Sequence, residues 1–277
     1  MLRHSFCHIP KMNTDVERML WDGGILTWED LPNSRSHGLT ESRHSLCCKH
    51  VAHSLEQLKK RNVTYFYEAL PNHEHWRLFE EFRIDTAYLD IETTGLSPQW
   101  SEITTIAVYD GTQVKAYVNG INLQDFRSDI ARFKQIVTFN GKCFDVPFIR
   151  KKLRLNMNHA HLDLRYILKR LGYSGGLKGC ERTLGISRKG VEEVDGFMAV
   201  LLWQEYQKGN DQALETLLAY NMADAVNLET LMVIAFNKKL QETPFLRDLK
   251  LPLPGRPVIP HRPDQRTIKK IQLSLQL

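Results

Sequence analysis

At 277 residues with 42% hydrophobic side chains, the chain is long enough for one substantial domain plus an accessory piece. No apolar run approaches the roughly 18 residues a membrane span needs, and the stretch Met1-Leu2-Arg3-His4-Ser5-Phe6-Cys7-His8 lacks the apolar core and cleavage site of a signal peptide. A cytoplasmic protein with no membrane partner is expected. The net charge of +5 permits a nucleic-acid partner without requiring one.

Residues from about Ser5 to Pro32 read as a compact helical unit. Val16, Met19 and Leu20 fall at helical spacing, Asp22-Gly23-Gly24 ends that helix, and Thr27 is placed to cap a second one. The pattern resembles a degenerate helix-hairpin-helix, a module that grips nucleic-acid backbone through amides at a helix N-terminus. Lys11 and Asn13 stand where the glycines of a good hairpin would be. Asn33 to Thr40 is polar and turn-rich, a loop. Ser45 to Arg61 reads as a helix with Leu46, Val51, Leu55 and Leu58 on one side, and a short helix from about His73 to Phe82 carries Trp76-Arg77-Leu78-Phe79. Tyr65-Phe66-Tyr67 fits core packing better than base stacking. The five cysteines, Cys7, Cys47, Cys48, Cys143 and Cys180, are odd in number and lack Cys-x-x-Cys spacing, so reduced thiols are expected. Adjacent Cys47 and Cys48, even with His44, His50 and His53 nearby, make poor tetrahedral zinc geometry.

From Asp85 the character changes. Thr86–Thr94, Glu102–Tyr109 and Gln113–Asn119 are strand-like, with Asp110-Gly111 marking a tight hairpin. Leu123–Phe133 looks helical, Gln135–Phe139 is a fourth strand, and Cys143–Leu155 and Leu162–Leu171 look helical again. Gly196–Tyr206 and Asp211–Asn237 are the last helices. Antiparallel strands followed by alternating helix and strand imply an α/β fold, a mixed sheet with helices on both faces. The segment from about Leu251, with Pro252, Pro254, Pro257, Pro260 and Pro263, is expected to be extended or disordered. The expected division is an N-terminal helical module at 1–82, an α/β domain at 83–240 and a Pro-rich basic tail at 241–277.

Chemistry concentrates at Asp90-Ile91-Glu92-Thr93-Thr94-Gly95-Leu96. Residues two apart on a strand share a face, so Asp90 and Glu92 point the same way while Leu89 and Ile91 face a core. Carboxylates held side by side raise each other's pKa unless a cation sits between them, and Mg²⁺ or Mn²⁺ is the natural partner of hard oxygen donors. Asp145, at a strand-to-helix junction after Asn140-Gly141, lies where strand ends form a crevice. Tyr220 and Asp224 are four apart on a helix and share a face. Asp224 sits in an otherwise apolar stretch, and a buried carboxylate needs a partner.

Asp90-x-Glu92, Asn140-x4-Asp145 and Tyr220-x3-Asp224 together resemble the three ordered motifs of the DEDD exonuclease superfamily of ribonuclease H-like proteins, in its tyrosine (DEDDy) branch. Within that branch the chain is similar to the YprB-type group. Trp76–Phe79, Asp90–Leu96, Phe139–Pro147, His161–Leu164, Leu177-Lys178 with Leu184–Ile186, and Ala219–Leu228 carry the resemblance, and Trp21–Leu31 resembles the group's N-terminal module. The resemblance implies a ribonuclease H-like mixed five-stranded sheet and a two-metal 3′→5′ exonuclease acting on single-stranded DNA or RNA; the hairpin-like N-terminal piece slightly favours DNA. It implies that Asp90 bridges two Mg²⁺ or Mn²⁺ ions about 4 Å apart, that Glu92 and Asp224 complete one shell, and that Asp145 holds the other ion. Tyr220 would orient the attacking water. Thr93, Thr94 and Leu96 would touch the terminal nucleotide, and Asn140 would line the same cleft. Arg150 and Lys151, in a basic run after Asp145, are candidate phosphate contacts. Asp163 fits a helix-start role, and His159 and His161 fit loop positions. No polymerase or helicase segment accompanies the domain, so proofreading in cis is not expected. The alternative is a catalytically silent nucleic-acid-binding or scaffold protein of the same fold.

Overall fold

A computed structural model describes residues 1–33 and 38–275; part of the Asn33–Thr40 loop lies outside them. The chain divides into two compact units, one formed by Met1–Ile84 with Phe236–Leu251, the other by Asp85–Ala235 with Pro252–Leu277.

In the first unit, Thr14–Asp22 (α1) is capped by Asn13, whose side chain accepts from the Val16 amide. Beyond Gly23 the expected second hairpin helix does not form. Asp30 instead gathers the Leu26 and Thr27 amides and the Thr27 hydroxyl into a turn, and the next α-helix among the described residues is Glu41–Lys59 (α2). Its buried stripe is Cys47, Val51, Ser54 and Leu58, rotated from the expected face so that Leu46 is exposed. The polar member explains the shift: Ser54 Oγ turns inward to meet His8 Nε2 at 2.8 Å. Val63–Ala69 (α3) buries Phe66 against Trp28, in line with a packing role for Tyr65-Phe66-Tyr67. The expected helix at His73–Phe82 is a 3₁₀ run, Asn72–Leu78, leading into Phe79–Phe82 (α4). That tight geometry buries Arg77, which binds Glu17 at 2.7 Å and Glu74 at 2.5 Å. Glu17 also accepts the Phe6 amide at 2.6 Å, so its charge is fully compensated inside the unit.

The second unit is built on five strands: Thr86–Thr93 (β1), Ile103–Tyr109 (β2), Val114–Val118 (β3), Gln135–Thr138 (β4) and Ala160–Asp163 (β5), in the order β3-β2-β1-β4-β5. β1–β2 and β2–β3 are antiparallel, whereas β1–β4 and β4–β5 are parallel. The Asp110-Gly111 hairpin forms as expected, with Asp110 accepting from the Thr112 and Gln113 amides and Gly111 at φ 94°. β5 corrects the expectation that a helix begins at Leu162. Ala160–Asp163 pairs with β4, and the helix Leu164–Arg170 (α7) starts only after Asp163, whose carboxylate caps it.

Alternation along β1 sorts the sheet's two faces. Ala87, Leu89 and Ile91 pack with Phe126 of Phe126–Ile130 (α5) and with Phe148 and Ile149 of Asp145–Leu153 (α6). A second core joins Val118 to Gly176–Thr183 (α8)-flanking residues Val191 and Val194, to Gly196–Gln207 (α9), and to Asp211–Leu240 (α10). Leu246–Leu249 (α11) belongs to the first unit. The tail is extended through its prolines, as expected, but then forms Gln265–Ser274 (α12), which buries Ile268 and Ile271 in that second core. Proline content masked this amphipathic stretch. This architecture is the expected mixed five-stranded α/β sheet flanked by helices.

Candidate metal centre

Asp90 and Glu92 leave the C-terminal half of β1 on the face opposite Leu89 and Ile91, just before a register shift at Glu92/Thr93. Asp224 comes from the buried middle of α10. One carboxylate oxygen from each of these three residues lies within 4.8 Å of the others. Asp145 is outside that trio, buried at the first turn of α6, yet close enough that charge on Asp90 raises it.

The electrostatics show what the cluster costs the chain. Burial pushes Asp90 up to about 7, opposed by the hydrogen bond from Asn221 and by Arg188. Glu92 is raised well above its ordinary value by burial and then by Asp90 and Asp145; Asp145 is raised by burial and then Asp90. These groups hold protons that the unfolded chain would release. Between about pH 4 and pH 7 the folded state therefore binds more protons, and raising pH across that window weakens the metal-free fold. A divalent ion binds only the deprotonated cluster. The melting-temperature gain produced by saturating Mg²⁺ is therefore expected to grow from about pH 5 to about pH 8. Differential scanning fluorimetry reads it; a pH-independent gain would contradict this charge balance.

A second layer of polar residues, not foreseen from the sequence, fixes the cluster. Asn221 Nδ2 donates to Asp90 Oδ2 at 2.7 Å, and Asn221 Oδ1 accepts from Thr105 Oγ1 of β2 at 2.9 Å. Arg188 is buried and pairs with Asp224 and, at 2.6 Å, with Glu181. Glu181 also accepts from Asn227 Nδ2 at 2.7 Å, and Asn227 Oδ1 accepts from Arg256 at 2.9 Å. Asn221 and Asn227 could have been suspected as polar positions inside an apolar helix. Arg188 carried no local signal, because Asp224 lies more than 30 residues further along the chain, and Glu181's second partner, Asn227, lies 46 residues on.

Tyr220 is buried one turn before Asp224, with Arg188 and Lys178 over its ring at 5.2 and 5.4 Å. Burial, with Glu92 and Asp90, lifts its phenol well above 10, so it stays protonated at neutral pH. The remaining expected contacts divide. Leu96 is 88% exposed on the loop after β1. Thr93 and Thr94 use their hydroxyls to shape that loop, Thr93 donating to the Gly95 carbonyl and Thr94 accepting the Glu102 amide. Asn140 adopts φ 67°, and its side-chain oxygen accepts from Arg165. Arg150 and Lys151 are not brought to the cluster: they stand in the last turn of α6, the end away from Asp145, and Arg150 is engaged with the Met157 carbonyl.

The loop that delivers Asp145 is braced from below. Asp163 accepts the Asn140 and Lys142 amides at 2.8 and 3.0 Å, a helix-start residue that also pins the motif. Thr138 Oγ1 accepts the Gly141 amide at 3.1 Å and meets His161 Nε2 at 2.8 Å, so His161 is a buried strand residue, not a loop one. A Cβ at Gly141 would lie 2.3 Å from Thr138 Oγ1. Because that hydroxyl is tied twice, Gly141→Ala is expected to cost about 1–3 kcal/mol through overpacking, measured by urea denaturation; a loss under a few tenths would show that Thr138 yields freely.

Paired carboxylates on the central strand β1, a helix-borne Asp and a helix-start Asp define a protein of ribonuclease H architecture with an acidic centre. The sequence profile of the RNase_H superfamily matches residues 87–236, more than half of the chain, and the chain belongs to that superfamily. No curated protein matches the chain in sequence. Among solved structures, the family B DNA polymerase from the hyperthermophilic archaeon Pyrobaculum calidifontis is 14% identical with a TM-score of 0.37, covering 56% of this chain and 29% of the polymerase. Brucella melitensis NrnC is 16% identical with a TM-score of 0.40, covering 59% of this chain and 78% of NrnC. The chain thus spans under a third of the polymerase and most of NrnC.

Proposed function

We propose that this chain is a metal-dependent 3′→5′ exonuclease of the DEDDy branch, YprB-type in organisation, that hydrolyses phosphodiester bonds at the ends of single-stranded DNA or RNA, the expected DNA preference having lost its ground with the second hairpin helix. The observation that carries the reading is the convergence of half-buried Asp90 with buried Glu92 and Asp224 within 4.8 Å, with buried Asp145 close enough to raise Glu92 and buried Tyr220 one turn from Asp224. The donor set is all carboxylate oxygen, which suits Mg²⁺ or Mn²⁺ and not a soft or tetrahedral ion. Asp90, Glu92 and Asp224 would hold one ion, and Asp145 with Asp90 a second. Bound ions supply charge stabilisation and a water made acidic enough to attack phosphorus at neutral pH.

The chain's own residues supply orientation. Asn221 holds Asp90 in one rotamer, and Arg188 holds Asp224. Tyr220, kept protonated, donates a hydrogen bond to a water or phosphate oxygen and is no base. The exposed Leu96 would press on a terminal base. A binding protein that turned over nothing would gain nothing from a cluster whose burial works against its own stability, which weighs against the silent alternative.

The test is product analysis. With Mn²⁺ and a 3′-labelled strand, the label is expected to leave as a 5′-mononucleotide from the first turnover. Release of the label on a longer fragment would contradict the exonuclease polarity proposed.

A further inference from the structure

A cleft of about 510 Å³ is lined by Phe139 and Asn140 after β4, by Arg165 and Lys169 on α7, by Tyr173 in the loop before α8 and by Gly176 at its start. We propose that this cleft is a nucleotide subsite that takes the base and phosphate on the 5′ side of the scissile bond. The proposal rests on the exonuclease reading above and specifies where its strand runs.

Position is the first argument. β4 is the parallel neighbour of the central strand β1, so Phe139 and Asn140 leave β4 at the same C-terminal end of the strands as Asp90 and Glu92. Cys180 also lines the cleft, and the next residue, Glu181, holds Arg188 and through it Asp224. The cleft wall at Cys180 is therefore one residue along α8 from the ion-pair chain that reaches Asp224. A strand whose last phosphate lies at the carboxylates continues into this space.

Lining chemistry is the second argument. Two aromatic side chains, Phe139 and Tyr173, offer π-faces on which any base stacks. Arg165 and Lys169, both exposed, put two cations at the same opening for a phosphodiester. The volume falls within the usual range for small-ligand sites, about 300–1,000 Å³. Arg165 also donates to the Asn140 side chain, so the cation and the amide of the metal-site loop move as one unit. Stacking faces and cations together read a nucleotide without base-specific hydrogen bonds, which fits a sequence-tolerant enzyme. An acidic peptide would leave the aromatic walls unused, and an apolar ligand would leave the cations unused.

The test separates the cleft from catalysis by measuring binding without metal, where the bare carboxylates repel phosphate and contribute nothing attractive. Fluorescence anisotropy of a 5′-labelled tetranucleotide is read in EDTA for the full chain, Lys169→Ala, Tyr173→Ala and the charge-matched control Lys208→Ala, whose lysine pairs with Glu205 at the end of α9. Lys169→Ala and Tyr173→Ala are each expected to weaken binding about tenfold, the scale of one stacked base or one phosphate contact, with Lys208→Ala within twofold. Lys169 is exposed, so its replacement reports on binding even if Tyr173→Ala perturbs packing. Equal losses in Lys169→Ala and Lys208→Ala, no loss in Lys169→Ala, or no binding by the unaltered chain would overturn the subsite. Cleft-dependent binding in a chain that cleaves nothing supports the subsite while removing the exonuclease reading, so the two fail separately.

Discussion

Asp90→Asn is expected to abolish metal uptake and strand cleavage together while leaving the fold intact. The substitution keeps an oxygen that accepts from Asn221 Nδ2, so the strand end loses charge and not shape. In the metal-free protein it removes a carboxyl whose burial pushes its pKa up to about 7, and melting temperature is expected to hold or rise slightly. With metal the balance reverses: an amide is a poor ligand beside Glu92 and Asp224, and in the proposed site Asp90 is the residue that would serve both ions. Loss of transition-state charge stabilisation of this kind costs on the order of 10³-fold or more in rate. Calorimetry with Mn²⁺ and initial rates on a single strand check both halves. A variant that still takes up metal with unaltered enthalpy would mean that Asp90 is not a ligand.

Arg188→Met is expected to destabilise the second unit strongly. Arg188 is 7% exposed and serves two carboxylates, Glu181 at 1% and Asp224 at 4%. Removing it leaves Glu181 with Asn227 alone and Asp224 without its cation. Breaking a buried pair by deleting one partner costs about 3–5 kcal/mol, mostly the burden of the charge left behind. In a unit of this size that is a fall of roughly 10 °C in melting temperature. The same logic gives a second readout. A divalent ion at Asp90, Glu92 and Asp224 restores positive charge, so Mg²⁺ is expected to raise the variant's melting temperature by more than it raises that of the unaltered chain. A smaller gain would mean that Arg188 is needed to shape the site, not merely to neutralise it.

Much of this site is legible in the sequence because its signals are local. Asp90-x-Glu92 on a β-branched strand fixes a shared face by the period of two, and β1 carries that face as expected. Tyr220 and Asp224 share a helix face by the spacing of four, and the Asp110-Gly111 hairpin follows from turn chemistry alone. Features that depend on distant partners were not legible. Arg188 sits in an unremarkable loop and acquires its role only when the fold brings Glu181 and Asp224 to it. Ser54 looks like a surface residue until His8 supplies its partner. β5 is short, four residues against a helix cap, so helical periodicity read straight through it. Arg150 and Lys151 are adjacent in sequence to Asp145 but stand at the opposite end of α6, where proximity along the chain is no proximity in space.

The measurement that bears most directly on this account uses one 5′-labelled single strand, as DNA and as RNA, incubated with the chain in Mg²⁺, in Mn²⁺ and in EDTA, with Asp90→Asn alongside. The expected result is a ladder that shortens one nucleotide at a time, requires metal and disappears with Asp90→Asn. Intact strands in both metals, or a ladder that survives EDTA or Asp90→Asn, would contradict the assignment of this acidic centre as a two-metal exonuclease site.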